Sequence, residues 1–201
     1  MRMLVACEYS GTVRDEFSKL GWDAWSCDFE PAETDGNHLQ CDVTTILNNN
    51  WDLMIAHPPC ERLCVSGARW LYEKKGWAEE QKAGLLLVKS LLNAPINYIA
   101  LENPVGIIST EIRQPDQIIQ PWMFGHGETK ATCLWLKNLP KLKPTNIVDG
   151  RENRVHKLPP SPERKKLRAW RYKGIAKAMA QQWTEFYLKK IPIYEQQKLF
   201  A

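Results

Sequence analysis

Short apolar stretches alternate with amphipathic stretches along the first half of the chain, and this alternation limits the folds open to it. Residues 3–8 predict a buried strand, residues 12–20 predict a helix that ends at Gly21, and residues 23–29 predict a second strand. Strands that alternate with helices form βαβ units, in which the strands of the sheet run parallel. The pattern therefore predicts an α/β fold with a doubly wound, mostly parallel sheet.

The same alternation continues to Pro104 and weakens after it. We expect one domain over residues 1–201, because no boundary, repeat or low-complexity tract interrupts the pattern. The further predicted elements are strands at 38–41, 51–56, 96–104 and 130–136, a helical turn at 43–49, helices at 76–93 and 174–190, and a loop at 139–162.

Composition limits the class of protein. The 44% of apolar residues is sufficient for a substantial core. No apolar run approaches the roughly 20 residues of a membrane span, and the first residues have the pattern of a strand, so we expect a soluble, cytoplasmic protein with no membrane partner. The six cysteines are scattered through strand-like segments, which favours a reducing compartment, and their spacing predicts no metal site.

Charge is distributed unevenly. Residues 1–60 carry ten acidic and three basic side chains, whereas residues 151–173 carry nine basic and two acidic ones. This basic segment also contains Trp170 and Tyr172, a combination that suits a polyanion such as nucleic acid. A solvated basic loop without such a partner is the alternative.

Polar clusters follow five predicted strands in succession. The carboxyl ends of parallel strands meet at one edge of an open α/β sheet, where ligands bind. We therefore expect these clusters to line one crevice. They are Glu8 to Gly11, Asp28, Asp42, Pro58 to Cys60, and Glu102 to Pro104.

The first of these clusters has the features of a nucleotide-binding loop. Tyr9, Ser10 and Gly11 lie between a strand and a helix, where a ligand can approach the backbone and the N–H groups of the helix. Asp28 ends the second strand, which is the position of an acid that binds ribose hydroxyls. An ordinary strand-to-helix turn is the alternative.

The sequence HPPC after the fourth strand presents a thiol at a fixed place. Pro58 and Pro59 restrict the backbone just before Cys60. A thiol held in this way suits nucleophilic attack if its proton can be removed. A buried, inert cysteine is the alternative.

Glu102, in the sequence LENP, brings a carboxyl group to the end of the fifth strand. Burial of an unpaired carboxylate is unfavourable by several kcal/mol, so a role beyond packing is expected. Pairing with Arg69 or Arg171 is the alternative to a catalytic role.

Taken together and in this order, the YSG loop, Asp28, Asp42, PPC and ENP resemble the DNA cytosine-5 methyltransferases, and most closely the short phage and prophage-encoded members. The resemblance covers residues 3–105 and returns in residues 127–136 and 171–183. It implies a Rossmann-like fold that depends on S-adenosylmethionine.

The resemblance also implies roles for individual residues. Cys60 would add to C6 of cytosine, Glu102 would hold and protonate N3, and Asn103 would hold the loop or the base, so that a methyl group is transferred to C5. The base would have to leave the duplex stack. Cofactor contacts would come from Tyr9, Ser10 and Gly11 at the methionine, Asp28 at the ribose, Phe29 and Asp42 at the adenine, and Pro58. Nucleic acid would contact Arg62, Arg69, Lys130, Arg164, Lys165, Lys166, Arg168 and Arg171.

The chain departs from the family's pattern in three ways. Thr12 and Val13 stand where further glycines are usual, and Lys130 is the nearest basic residue to an absent Gln-x-Arg-x-Arg element. A basic loop at 139–170 replaces a separate target-recognition domain. Sequence recognition is then slight or supplied by a partner protein. The alternatives are modification of a free pyrimidine nucleotide or single-stranded nucleic acid, and a non-catalytic module that binds nucleic acid or protein against restriction.

Overall fold

The computed structural model describes residues 1–65, 73–157 and 172–191. The strands in these ranges are β1 (Arg2–Ala6), β2 (Asp23–Asp28), β3 (His38–Gln40), β4 (Leu53–Ala56), β5 (Tyr98–Pro104), β6 (Gln117–Ile119) and β7 (Thr132–Lys137). The helices are α1 (Thr12–Ser18), α2 (Trp77–Leu92), α3 (Ile108–Glu111), α4 (Arg154–Lys157) and α5 (Lys173–Leu188), with 3₁₀ turns at Val43–Thr45 and Pro121–Met123.

Across these described ranges the seven strands form one sheet in the order β3-β2-β1-β4-β5-β7-β6. The first five strands pair in parallel, and β7 runs antiparallel between β5 and β6. The chain moves outward from β1 to β3 and then returns to β4 on the other side of β1. The strand order thus reverses between β1 and β4, and the crevice beyond the carboxyl ends of these two strands is where ligands bind in such sheets.

Both faces of the sheet are covered, which explains the nearly continuous apolar runs of β1 and β4. On one face, Phe17 of α1 and Trp183 of α5 pack against alternate residues of the central strands. On the other face, Val88 and Leu91 of α2 pack against the strand residues that alternate with those of the first face, such as Leu4 and Met54. The side chains of a strand point alternately to its two faces, so each strand contributes to both cores.

The predicted α/β class with a doubly wound, mostly parallel sheet is confirmed. Each predicted strand is present with ends that differ by a few residues, and the predicted turn at 43–49 is a shorter 3₁₀ turn. Three short elements were not predicted, β6, α3 and the 3₁₀ turn at Pro121–Met123, and the predicted loop at 139–162 contains α4. In the ranges described here, no helix is both long enough and apolar enough to cross a membrane.

Trp183 is expected to be one of the strongest single contributors to stability. Its side chain is fully buried, and its indole N–H donates to the carbonyl of Pro140 at 3.0 Å. Trp183→Ala should lower the free energy of unfolding by about 3–5 kcal/mol through lost burial and a cavity. Ile147→Ala, at an exposed position, should change it by less than about 0.5 kcal/mol. Equal urea-unfolding midpoints for the two variants would contradict the packing described.

Candidate active site

The carboxyl ends of the five parallel strands and the start of β7 meet at one edge of the sheet. β7 joins this edge because it is antiparallel: its first residue, Thr132, is opposite Pro104, the last residue of β5. Two cavities open here. The larger lies over the ends of β1, β2 and β3, and the smaller lies over the ends of β4 and β5.

The larger cavity has a volume of about 380 Å³, within the size range of small-molecule sites. Its walls include three residues predicted to contact a cofactor, Asp28, Phe29 and Asp42. Phe29 is 72% exposed, so one face of its ring is open to a planar ligand. The other lining residues are Cys7, Cys27, Cys41, Val43, Thr44, Pro59, Ala83, Leu86, Leu87 and Ser90.

The two carboxylates of this cavity are held by their own turns. Asp42 Oδ1 accepts from the backbone N–H and the hydroxyl of Thr44, at 2.9 and 2.8 Å. Asp28 Oδ1 accepts from the N–H of Glu30 at 3.1 Å. Such turns fix a carboxylate without a second side chain, so both groups are oriented before any ligand binds.

The turn at Gly11 has a structural requirement of its own. Tyr9, Ser10 and Gly11 are not among the residues that line the larger cavity. Gly11 has φ +72°, and a Cβ at this position would lie 2.2 Å from the Thr34 hydroxyl oxygen. The glycine is therefore required by the turn itself.

The Glu8 side chain caps the N-terminus of helix α1, a role that was not predicted from the sequence. Its fully buried carboxylate accepts from the backbone N–H groups of Val13 and Arg14, at 3.0 and 3.2 Å, and from the Ser10 hydroxyl at 3.2 Å. A carboxylate placed here complements the positive end of the helix. The expectation that this helix offers its N–H groups to a ligand is therefore wrong for Val13 and Arg14.

The loop after β4 is anchored to β5 by Asn103. The buried Asn103 side chain donates from Nδ2 to the carbonyl of Pro58 at 2.9 Å. Of the two roles considered for Asn103, this contact matches the one that holds the loop. Pro58 itself is buried, and Pro59 is the proline that lines the larger cavity. Cys60 follows at an exposed position.

Glu102 is paired with His57, a residue that the sequence analysis did not single out. His57 Nδ1 lies 2.9 Å from Glu102 Oε2, and the two side chains are 5% and 17% exposed. The predicted alternative partners, Arg69 and Arg171, lie outside the described residues. The sequence does indicate His57 indirectly, because a polar residue stands there between a fully apolar strand and two prolines.

The Cys60 thiol has neighbours that act on it in opposite directions. The chain turns back after Cys60, so that the N–H of Cys64 donates to its carbonyl at 2.9 Å. The hydrogen bond with the Cys64 thiol is the largest cause of a raised pKa of Cys60. Protein atoms around the sulfur displace water from it although the residue as a whole is exposed, and this desolvation and the charge of Glu102 raise the pKa further, whereas Lys130 lowers it. Cys60 is therefore a thiol at neutral pH, and it needs a proton acceptor to become a nucleophile.

The smaller cavity has a volume of about 40 Å³ and lies beside the pair of His57 and Glu102. It has room for a water molecule and not for a pyrimidine, so a base could enter only after its walls move. Its other lining residues are Val13, Lys130, Thr132, Tyr172, Ile175, Ala176 and Met179.

Glu128 contacts two residues of the basic segment 151–173, Arg154 near its start and Tyr172 near its end. Its carboxylate accepts from Nε and Nη2 of Arg154 at 2.9–3.1 Å and from the hydroxyl of Tyr172 at 2.9 Å. Burial and this contact with Glu128 raise the pKa of Tyr172. The Lys130 ammonium lies 5.9 Å from the centre of the Tyr172 ring. These contacts place Tyr172 in the wall of the smaller cavity.

Of the eight residues predicted to contact nucleic acid, two are described. Lys130 lines the smaller cavity, near Cys60. Arg62 lies over the Trp77 ring at 3.8 Å and forms ion pairs with Glu61 and Glu80, so its charge faces carboxylates. The other six lie outside the described residues: Arg69, Arg164, Lys165, Lys166, Arg168 and Arg171. The described part of the chain holds no group of three metal-binding side chains.

Removal of the Cys64 thiol should make Cys60 more reactive. Because the hydrogen bond with Cys64 is the largest cause of the raised pKa, Cys64→Ala should lower the pKa of Cys60 and increase its thiolate fraction at a given pH. The midpoint of iodoacetamide alkylation at Cys60, followed by peptide mass spectrometry, should move to lower pH. Cys41→Ala serves as the control and should leave the midpoint in place. An unchanged midpoint in Cys64→Ala would contradict this account of the thiol.

No protein-family model and no curated protein matches the sequence. Solved structures that are similar to the chain include a DNA modification methyltransferase encoded within an E. coli prophage, which is 13% identical over 68% of this chain and 46% of its own, with a TM-score of 0.44. Another is S. pombe Dnmt2 methyltransferase, which is 16% identical over 78% of this chain and 53% of its own, with a TM-score of 0.45.

A third is the Entamoeba histolytica methyltransferase EhMeth, which is 14% identical over 80% of this chain and 60% of its own, with a TM-score of 0.47. The chain thus spans between 46% and 60% of the length of these three structures. Its function therefore has to follow from the geometry of its own site.

Proposed function

We propose that the chain is an S-adenosylmethionine-dependent methyltransferase that modifies C5 of cytosine in DNA, with Cys60 as its nucleophile. One observation carries the proposal. Glu102 and Lys130 line the smaller cavity at this edge of the sheet. Pro59, directly before Cys60, lines the larger cavity together with Asp28 and Asp42. A nucleophile, a carboxyl group and a cation are thus next to a nucleoside-sized site.

The larger cavity suits an adenosyl group. Asp28 and Asp42 offer oriented carboxylates, which accept hydrogen bonds from ribose hydroxyls and from an amino group. The exposed ring of Phe29 offers a stacking surface. Tyr9, Ser10 and Gly11 stay the proposed neighbours of the methionine part. Bound there, S-adenosylmethionine would supply an electrophilic methyl group.

The chain's own residues divide the chemistry at the base. The thiolate of Cys60 forms the bond to C6, and Lys130 favours this thiolate through its charge. Glu102 holds the ring at N3 and protonates it, so that negative charge does not build up on the adduct. Asn103 keeps the loop that carries Cys60 in place through Pro58.

DNA is the proposed substrate because of the charge that borders the site. Two residues of the basic segment 151–173, Arg154 and Tyr172, bond the Glu128 carboxylate, and Tyr172 lines the smaller cavity. Basic side chains bind phosphates and position nucleic acid without reading its bases. Sequence recognition would then come from a partner protein or be slight. The base itself must leave the stack, since C6 of a paired base is out of reach.

A transfer assay tests the proposal. Labelled S-adenosylmethionine is incubated with duplex DNA, single-stranded DNA and dCMP in separate reactions. Label should enter C5 of cytosine in duplex DNA, and Cys60→Ala should abolish this while its unfolding midpoint stays the same. Glu102→Gln should slow transfer by about 10²–10⁴-fold because it removes the acid.

Each other result of the assay favours a different function. Transfer to single-stranded DNA or dCMP alone would replace the duplex as substrate. Transfer that survives in Cys60→Ala would remove the covalent mechanism. Absence of label in all three substrates would favour a non-catalytic binding module.

Calorimetric titration tests the cofactor site separately. Asp28→Ala should weaken binding of S-adenosylmethionine by about 10–100-fold, because a hydrogen bond to a charged group contributes about 1.5–3 kcal/mol. Glu30→Gln is a matched control on the same loop and should bind as the unaltered chain does. Failure of the unaltered chain to bind S-adenosylmethionine would contradict the assignment of the cavity.

A further inference from the structure

The pair formed by His57 and Glu102 lies between the loop that carries Cys60 and the carboxyl end of β5. Their side chains meet across the ends of β4 and β5, with His57 Nδ1 at 2.9 Å from Glu102 Oε2. His57 is followed directly by the two prolines that lead to Cys60. The pair therefore connects the loop that carries the thiol with the carboxyl group that would meet the base.

The proposed reaction requires two proton movements that neither Cys60 nor Glu102 can supply alone. The pKa of the thiol is raised, so its proton must be taken away at neutral pH. An isolated glutamic acid has a pKa of about 4.3 and carries no proton at neutral pH to donate to N3. Histidine, with an ordinary pKa of about 6.5, is the side chain that holds and releases a proton in this range.

We propose that the His57–Glu102 pair is a proton relay that takes the proton of Cys60 and delivers it to N3 of the pyrimidine. This inference rests on the proposed function and assigns a further residue to the same site. His57 is a positioning residue in this scheme: it acts through Glu102 and does not touch the base. The relay explains why a histidine stands between a buried strand and two prolines.

The step balances in atoms and charge. The S–H bond of Cys60 breaks, and its proton passes to the pair as the bond from Sγ to C6 of the base forms. The electron pair of the C5=C6 bond moves to C4–C5, and the electron pair of the C4=N3 bond accepts the proton that the pair delivers. The pair ends with the protons with which it began.

The surroundings of the pair fit this role. Among the described residues, Lys130 and Tyr172 line the same cavity as the pair, and Cys60 and Cys133 interact with the charge of Glu102. The remaining walls are mostly apolar, which limits exchange of the relayed proton with bulk water. The apolar residues are Val13, Ile175, Ala176 and Met179.

His57→Asn separates the relay from simple orientation. The amide of asparagine can donate a hydrogen bond to Glu102, as Nδ1 of histidine does, but it cannot carry an additional proton. A residue that only orients Glu102 would be replaced adequately by asparagine. A residue that holds the relayed proton would not.

The test uses the full chain and two readouts across about pH 5.5–9. The first is iodoacetamide alkylation of Cys60 in the protein alone, measured by peptide mass spectrometry. If the pair accepts the thiol proton, alkylation of Cys60 should begin at lower pH in the unaltered chain than in His57→Asn. The second is release of tritium from C5-labelled cytosine in duplex DNA with S-adenosylmethionine. In His57→Asn, kcat should fall about 10–100-fold and KM should change less than about threefold.

The outcomes distinguish the relay from the proposed function. Tritium release in the unaltered chain with the same kcat and pH profile in His57→Asn would overturn the relay and leave the function standing. No tritium release in the unaltered chain, together with an alkylation profile that His57→Asn moves to higher pH, would overturn the function and support the coupling of His57 to the thiol. Identical alkylation profiles in both proteins would overturn the coupling. If His57→Asn does not fold, His57→Gln is measured in the same way, and an unchanged alkylation profile and kcat there would overturn the relay.

Discussion

Two side-chain hydrogen bonds between the ends of β4 and β5 set the positions of the groups on which the site depends. These strands pair in parallel, with Ala56 opposite Leu101. The next residues, His57 and Glu102, are therefore adjacent, and the bond from Asn103 to the Pro58 carbonyl continues the connection one residue further. The first two residues of the loop that leads to Cys60, His57 and Pro58, are therefore held by hydrogen bonds to β5.

The sequence was sufficient for the arrangement of the main strands and not for the smallest elements. β1 and β4 are buried on both faces, so their apolar runs identify them without any neighbour. β6 has three residues at the edge of the sheet, where its form depends on pairing with β7. α3 is one turn long, too short for helical periodicity to reveal.

The site could be predicted where it follows from strand ends and not where it follows from a distant partner. Asp28 and Asp42 face the larger cavity because each ends or follows a parallel strand. His57 and Glu8 were missed as functional residues because their roles come from contacts. His57 pairs with Glu102, which is 45 positions away in the sequence. Glu8 accepts a hydrogen bond from the first turn of helix α1, across a loop that contains a glycine. The sequence also predicted a cofactor contact at Pro58, whereas Pro59 lines the larger cavity, because adjacent residues face opposite sides of the backbone.

Glu128 gives the basic segment a property that its composition does not reveal. Arg154 lies before residues 158–171 and Tyr172 directly after them, and both bond the same carboxylate. Two positions that are 18 residues apart in the sequence are thus held to one carboxylate. A phosphate that competed with Glu128 for Arg154 would also alter the support of Tyr172, and through it a wall of the smaller cavity. The position of Arg154 and the wall of the space beside Glu102 are in this way linked through one side chain.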